Sequence, residues 1–191
     1  MMKSRSIILD RDGVINQDSD DYIKSPEQWL PIPGSIDAIS KLSRAGFRIF
    51  VATNQSGLGR AYFDEFALAR MHEKMHRLVE DLGGHITGVF FCPHTPEDKC
   101  ACRKPATGLL DQMEHEFSLD LSGAHYVGDT EKDIDCALAK KCLPILVLTG
   151  KGASTLESLT DEKLKKIQVF PDLAAAAEHI LKPGKEQTGN V

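Results

Sequence analysis

Two carboxylates lie one residue apart at the end of a short apolar run near the start of the chain. The run Ile7-Ile8-Leu9 is followed by Asp10-Arg11-Asp12-Gly13. Successive side chains of a strand point to opposite faces, so Asp10 and Asp12 share a face only if the strand continues. Gly13 predicts a turn instead, and a turn lets both carboxylates converge on one cation. The pattern suits a phosphoryl-transfer nucleophile, with an acidic surface turn as the alternative.

Three more polar sets follow apolar runs further along the chain. Thr53 and Asn54 offer a hydroxyl and an amide to phosphate oxygens at the end of one run. Lys104 brings a cation next to a proline, and Asp129, with Asp133 four positions on, brings carboxylates for a hard cation. Each set alone is typical of a helix cap or a surface side chain. Together they predict an anion and metal site at one edge of a sheet.

A separate cluster of soft ligands suits tetrahedral Zn²⁺. The ligands form two pairs, Cys92 with His94 and Cys100 with Cys102. Four protein ligands leave no open position for water, so we expect a structural rather than a catalytic zinc ion. Arg103 and Lys104 follow at once, and we therefore hypothesise that zinc preorganises both cations. A chance cluster of thiols in a reducing compartment is the alternative.

A competing zinc motif occurs in His72-Glu73-Lys74-Met75-His76, which fits the H-E-x-x-H pattern of metalloproteases. The apolar stripe of the predicted helix places His72 at its border and leaves Glu73 and His76 toward solvent. No third ligand is evident downstream, so we interpret the match as a coincidence. Cys136 and Cys142 flank a predicted core helix and are expected to be buried thiols.

Length and charge limit the classes of function. With 191 residues and a net charge of -5, the chain suits one domain over residues 1–182 with a polar tail at 183–191. The absence of a long basic run argues against nucleic acid, and no apolar segment is long enough to span a membrane. The apolar run after the first residues is too short for a secretory signal. We expect a cytoplasmic monomer that acts on a small molecule.

Strand and helix patterns alternate along the chain. The predicted strands cover 7–9, 47–53, 86–91, 124–128, 144–148 and 167–170, and the predicted helices cover 35–44, 64–82, 109–117, 132–140 and 172–181. This alternation predicts an α/β fold in which helices cover both faces of a mainly parallel sheet. Right-handed crossovers then bring the polar strand ends to one edge.

In this order, the four motifs resemble the signature of the haloacid dehalogenase superfamily of phosphotransferases over nearly the whole chain. The resemblance implies a Rossmann-like three-layer sandwich, Mg²⁺ and an aspartyl-phosphate intermediate. It implies Asp10 as the nucleophile and Asp12 as the general acid/base. Asp10, the backbone carbonyl of Asp12 and Asp129 would hold Mg²⁺, while Thr53 and Lys104 would bind the transferring phosphoryl group.

Elementary electrostatics supports these roles. A phosphate monoester repels a carboxylate, so Mg²⁺ and Lys104 must screen the charge before Asp10 attacks in line. We expect Lys104 to hold Asp10 ionised. Asp12 should arrive protonated, neutralise the leaving alkoxide and later take a proton from water.

The intervals between the motifs leave no room for a cap domain, so loops must define the substrate pocket. The candidate substrate contacts are Asp18, Ser19, Asp20, Asp21, Asn54, Gln55, Ser56 and Arg103. The motifs are similar to those of capless phosphatases that remove a phosphate from a heptose bisphosphate. Histidinol-phosphate phosphatases share the loop that carries the four predicted zinc ligands, residues 92–102, which is called the zinc loop below. Arg103 beside Lys104 favours a bisphosphorylated sugar. The acidic loop at residues 16–22 would suit the amine of histidinol phosphate and keeps that substrate open as the alternative.

Overall fold

The computed structural model describes residues 5–182 and contains a six-stranded parallel sheet. Its strands are β1 (Ser6–Leu9), β2 (Arg48–Asn54), β3 (Gly88–Cys92), β4 (His125–Gly128), β5 (Leu143–Val147) and β6 (Gln168–Phe170). The order across the sheet is β3-β2-β1-β4-β5-β6, and each neighbouring pair is parallel. All six strands were predicted, with boundaries that differ by one or two residues at most ends.

Eight helices accompany these strands within the described residues. They are α1 (Ser35–Arg44), α2 (Ser56–Gly59), α3 (Glu65–Asp81), α4 (Gly108–Phe117), α5 (Glu131–Ala139), α6 (Gly152–Ser158), α7 (Asp161–Leu164) and α8 (Leu173–Leu181). The helix expected from residue 64 begins at Glu65 because Asp64 is its N-cap and accepts a hydrogen bond from the Ala67 N–H. The sequence did not predict α2, α6, α7 or the 3₁₀ turn at Pro96–Asp98, since such short elements carry too little periodicity.

The central strand shows how the three layers form. Ile7 and Leu9 of β1 pack in one apolar cluster with residues of α1, α3 and α8. Ile8, between them, points to the opposite face and packs in a second cluster with residues of α4 and α5. This alternation buries both faces of the strand, as expected for a parallel sheet covered by helices. The structure confirms the predicted three-layer α/β fold.

The segment between β1 and α1 is an anchored loop. Trp29 is fully buried, and the Lys74 ammonium of α3 donates to the backbone oxygens of Pro26 at 2.6 Å and Trp29 at 2.8 Å. Residues 5–182 contain no inserted cap domain, as predicted. The predicted polar tail at 183–191 lies outside the described residues. None of the described helices has the length and apolar character needed to cross a membrane.

Candidate active site

The chain turns sharply after β1, as Gly13 predicted. Gly13 has φ = +84°, and a Cβ atom there would lie 2.2 Å from Oδ2 of Asp129. The backbone N–H of Arg11 donates to Oδ1 of Asp10 at 2.7 Å, and the Lys104 ammonium contacts the same oxygen at 2.9 Å. Oδ2 of Asp10 accepts no hydrogen bond from the described residues, so it is available for another partner.

Lys104 is a buried cation between two carboxylates. Its ammonium lies 2.6 Å from Oδ1 of Asp133 and donates to the Ala52 carbonyl at 2.8 Å. The side chain of Asn54 pairs with the Lys104 backbone, accepting its N–H at 3.0 Å and donating to its carbonyl at 3.2 Å. Asn54, a predicted substrate contact, is the last residue of β2, and its side-chain amide holds the Lys104 backbone against that strand.

Three carboxylates converge beside Lys104 and form what is called the carboxylate corner below. Asp10, Asp129 and Asp133 offer oxygens there within 4.8 Å of one another. Burial raises the pKa of Asp10 well above its ordinary value, and Asp133 and Asp129 raise it further, although Lys104 lowers it. Lys104 therefore acts on the pKa of Asp10 in the expected direction, but burial outweighs it. The cluster needs more positive charge, which a divalent cation with oxygen ligands supplies.

Asp129 provides the most direct sign that a cation fits. Its Oδ1 is buried and has no hydrogen-bond partner among the described residues, while Oδ2 accepts the Lys151 N–H at 2.8 Å. Burial, assisted by Asp133, raises the pKa of Asp129 to about 7. A buried carboxylate oxygen without a donor is costly unless a cation occupies it. Asp10 and Asp129 are therefore suitable Mg²⁺ ligands, as the resemblance implied.

Asp133 and Lys151 also belong to the site. Asp133 was proposed only as a further carboxylate, and it accepts hydrogen bonds from the Thr130 hydroxyl at 2.6 Å and from the Tyr126 hydroxyl at 3.4 Å. Lys151 follows β5 in the run Leu148-Thr149-Gly150-Lys151. A glycine-containing polar segment after a predicted strand was the signal that would have identified it.

The carboxylate of Asp12 points into a different set of donors. Arg11 donates to both of its oxygens through Nε at 3.2 Å and Nη2 at 2.9 Å. Asn16 donates to Oδ1 at 2.9 Å, and Gln55 donates to Oδ2 at 2.7 Å. Burial raises the pKa of Asp12, but the Arg11 charge and these hydrogen bonds outweigh it and lower the pKa. The structure thus favours ionised Asp12, contrary to the expectation of a protonated resting state.

Thr53 and Gln55 connect Asp12 to the end of β2. Thr53 is almost completely buried, and its hydroxyl accepts a hydrogen bond from the Gln55 amide at 2.8 Å. Gln55, a predicted substrate contact, therefore joins Thr53 to Asp12. Ser56 begins α2 and lines the same cleft. The predicted polar residues after β2 thus do meet the carboxylate corner.

The four predicted zinc ligands come together. Sγ of Cys92 lies 3.6 Å from Nδ1 of His94, 3.6 Å from Sγ of Cys100 and 3.3 Å from Sγ of Cys102. A tetrahedron with Zn–S bonds of about 2.3 Å has edges of roughly 3.8 Å, so these separations suit zinc. Burial raises the pKa of Cys100, but hydrogen bonds from Cys102 and the Arg103 backbone outweigh it and lower the pKa to about 7. A thiolate is the form that binds zinc.

The substrate side of the corner is a cleft of about 270 Å³. Most predicted contacts line it, namely Asp18, Ser19, Asp20, Asn54, Gln55, Ser56 and Arg103. Asp21 is not among the lining residues, and its backbone N–H donates to the Ser19 hydroxyl at 3.2 Å. Lys151 also lines the cleft, and its ammonium lies 3.3 Å from Asp18 and 3.5 Å from Asp20. The Arg103 guanidinium donates to the His94 carbonyl at 3.2 Å, which links it to the zinc loop.

The H-E-x-x-H segment does not form a metal site in the described structure. Neither His72 nor His76 belongs to a group of three potential ligands, and Glu73 is exposed. Nε2 of His72 instead lies 3.3 Å from Nη1 of Arg11. Cys136 and Cys142 are buried thiols, as predicted.

A family model and known proteins match this chain over most of its length. The model for polynucleotide kinase 3 phosphatase matches residues 6–166. A D-glycero-beta-D-manno-heptose-1,7-bisphosphate 7-phosphatase from Pseudomonas aeruginosa is 50% identical over 93% of this chain and 99% of its own length. The protein of that name from Neisseria meningitidis serogroup A is 48% identical over 92% of this chain and 94% of its own length.

A solved structure shows the same relationship in three dimensions. The crystal structure of D,D-heptose 1,7-bisphosphate phosphatase from Bordetella bronchiseptica, complexed with magnesium and phosphate, is 46% identical. It superposes with a TM-score of 0.87 over 94% of this chain and 98% of that one. The chain therefore belongs to the heptose bisphosphate phosphatase family within the haloacid dehalogenase superfamily.

Proposed function

We propose that this chain removes the 7-phosphate of D-glycero-D-manno-heptose 1,7-bisphosphate, a step in the synthesis of ADP-heptose for lipopolysaccharide. The observation that carries the chemistry is the buried corner where Asp10 meets Lys104 and the unpartnered oxygen of Asp129. Relatives named for this activity match almost the full length of the chain, and the proposed substrate is taken from their names. The reaction class is phosphoric monoester hydrolysis.

Asp10 is the nucleophile of the first step. A carboxylate oxygen of Asp10 attacks phosphorus in line, and the bond between phosphorus and the sugar oxygen breaks. Lys104, 2.9 Å from Asp10, screens the charge of the incoming phosphoryl group, while Thr53 binds one of its oxygens. Asp12 takes up a proton as the negatively charged substrate binds beside it and donates that proton to the departing alkoxide, so the sugar 1-phosphate leaves and Asp10 carries the phosphoryl group.

Water completes the reaction in the second step. Asp12 accepts a proton from the water that attacks the acyl phosphate, the bond between phosphorus and Asp10 breaks, and inorganic phosphate leaves. The donors around Asp12 stabilise its ionised form, which is the form that this proton acceptor requires.

Two metal ions accompany this function in the proposal. Asp10, the Asp12 backbone carbonyl and Asp129 would hold Mg²⁺, which neutralises charge on the transferring phosphoryl group when bound. Cys92, His94, Cys100 and Cys102 would hold a structural Zn²⁺. The zinc loop continues directly into Arg103 and Lys104 and so holds both cations toward the cleft.

The chemistry of the cleft supports a phosphorylated sugar as the substrate. Arg103 and Lys151 at its rim suit the second phosphate, while Asp18 and Asp20 suit sugar hydroxyls. We propose that the protein acts as a cytoplasmic monomer with one catalytic domain. Its net charge of -5 does not favour a polynucleotide, despite the family model's description.

Substrate profiling tests this proposal. Phosphate release is measured with heptose 1,7-bisphosphate, histidinol phosphate and a 3′-phosphorylated oligonucleotide at matched concentrations and with Mg²⁺. We expect kcat/KM to be highest for the heptose bisphosphate, by at least about 100-fold. A site built to hydrogen-bond the hydroxyl groups of its substrate strongly rejects analogues that lack them. Preference for histidinol phosphate or the oligonucleotide would overturn the substrate assignment, while the Asp10 chemistry would stand.

A further inference from the structure

His72 contacts a buried cation that touches the general acid/base. Arg11 is only 1% exposed, and its Nη1 lies 3.3 Å from Nε2 of His72 on α3. The opposite edge of the same guanidinium faces both oxygens of Asp12. One rigid planar group therefore connects a helix of the outer layer with the carboxylate at the end of β1.

The contact requires a neutral His72 that accepts a hydrogen bond. Arg11 has donors only, so Nε2 must be the acceptor and the imidazole proton must lie on Nδ1. Burial lowers the pKa of His72 to about 3, and the charge of Arg11 contributes in the same direction. His72 therefore remains an acceptor throughout the pH range in which a phosphatase works.

The geometry of the guanidinium explains why this acceptor matters. A buried arginine must satisfy its N–H groups, and the plane of the fork is fixed once two of its edges are bonded. Asp12 occupies the Nε and Nη2 edge, and His72 occupies Nη1. Without His72, Arg11 retains only the edge that it shares with Asp12, so fewer hydrogen bonds fix the angle of that carboxylate.

We infer that His72 is a positioning residue for catalysis, acting through Arg11 to aim the Asp12 carboxyl group at the departing oxygen of the substrate. The inference rests on the proposed phosphatase function and deepens it. His72 is not among the residues that line the cleft. Asn16 and Gln55 still donate to Asp12 when His72 is changed. The substitution therefore changes the direction of the Asp12 carboxylate but does not remove it from the site.

The leaving group provides the test. A sugar alkoxide needs a proton from Asp12 as the P–O bond breaks, whereas p-nitrophenolate leaves without one. We compare wild type with His72→Leu, His72→Gln and His76→Leu, the last being a matched control one turn along α3. Rapid-quench single turnovers with Mg²⁺ measure the first step alone for the heptose bisphosphate and for p-nitrophenyl phosphate.

We expect His72→Leu to slow sugar release about 10- to 100-fold and nitrophenol release no more than about threefold. His72→Gln, whose amide oxygen can accept from Arg11, should restore sugar release to within about threefold of wild type. His76→Leu should leave both rates unchanged. Circular dichroism checks that each variant is folded, and His72→Met replaces His72→Leu if the latter does not fold.

Equal slowing of both substrates, no slowing of either, or failure of His72→Gln to rescue would overturn the inference. The test does not depend on the heptose assignment. If wild type prefers another alkyl phosphate, such as histidinol phosphate, that ester replaces the heptose and the comparison between variants is unchanged. Failure of the proposed substrate and failure of the positioning role therefore give different results.

Discussion

The carboxylate corner around Lys104 and the acidic loop at residues 16–22 hold their charges in opposite ways. The Lys104 side chain is 2% exposed and contacts two carboxylates within 2.9 Å. The Lys151 side chain is 53% exposed, and its partner Asp20 is 95% exposed at a separation of 3.5 Å. Removing one partner of a buried ion pair costs several kcal/mol, whereas exposed pairs contribute about 0–1 kcal/mol.

This difference suits the buried charges to the chemical step and the exposed charges to substrate recognition. The buried charges have one arrangement and suit the chemical step, which tolerates little displacement. The exposed charges on the loop exchange easily with water and with substrate hydroxyls, which suits recognition. Substitutions in the corner should therefore change kcat by orders of magnitude, whereas substitutions in the loop should change KM by small factors.

The largest effect should come from Asp10→Asn. The substitution removes the nucleophile, and we expect kcat to fall at least about 10⁴-fold in a phosphate-release assay. Lys104 keeps Asp133 as its partner, so the fold should persist. Asp37→Asn, in an exposed ion pair of α1, is the matched control and should retain full activity. Residual turnover above about 1% in Asp10→Asn would contradict the nucleophile assignment.

The zinc loop should show an intermediate effect. Replacing Cys100 and Cys102 by Ser removes two of the four ligands, and we expect zinc loss with a 10- to 100-fold lower kcat/KM. The loss should be partial because Asn54 still pairs with the Lys104 backbone. Zinc content by elemental analysis and turnover are measured together, with Cys142→Ala as a control that keeps both. Zinc loss with unchanged turnover would refute preorganisation of Arg103 and Lys104.

Magnesium affinity should depend on pH through Asp129. Its raised pKa, about 7, means that the folded metal-free protein holds a proton there between about pH 4 and 7, whereas the unfolded chain does not. The contribution of Asp129 to the metal-free stability is therefore lost as the pH rises through 7, and Mg²⁺ competes with this proton.

We expect the apparent Kd for Mg²⁺ to increase about tenfold for each pH unit below 7, measured by calorimetry at pH 5.5, 6.5 and 7.5. Stabilisation by Mg²⁺ in thermal unfolding should be larger at pH 7.5 than at pH 5.5. Asp129→Asn should abolish most of the binding. A pH-independent Kd would show that Asp129 is not a ligand.

The smallest effect belongs to the loop. Asp18→Asn weakens one hydrogen-bond acceptor for the sugar, and we expect KM for the heptose to rise about fivefold with kcat unchanged, equivalent to about 1 kcal/mol. The KM for p-nitrophenyl phosphate should not change. Asp21→Asn, outside the cleft lining, is the matched control. A lower kcat for Asp18→Asn would remove the distinction between corner and loop.

The sequence predicted the corner well because three of its groups lie at the ends of buried strands. Asp10 and Asp129 directly follow β1 and β4, Thr53 lies next to the last residue of β2, and parallel strands must bring such ends together. The zinc ligands were equally accessible, since their spacing and chemistry identify them without knowledge of the fold.

The partners within the site could not be predicted in the same way. Asn54 was expected to contact substrate, but its amide fits the backbone of Lys104. His72 appeared as part of a protease motif, and only the packing of α3 on the sheet brings it to Arg11. Side-chain hydrogen bonds across distant segments depend on packing geometry, which residue spacing does not encode.

The strand order has a consequence for the protein while it is being made. β1 lies between β2 and β4, and Ile7–Leu9 pairs with His125–Val127. A ribosome-bound chain that has emerged only as far as α4 lacks β4, so one side of its central apolar strand presents unpaired backbone groups. Such an edge favours pairing with other chains. Translation therefore leaves a long interval in which the nascent chain is vulnerable to aggregation, and the carboxylate corner exists only after β4 has joined the sheet.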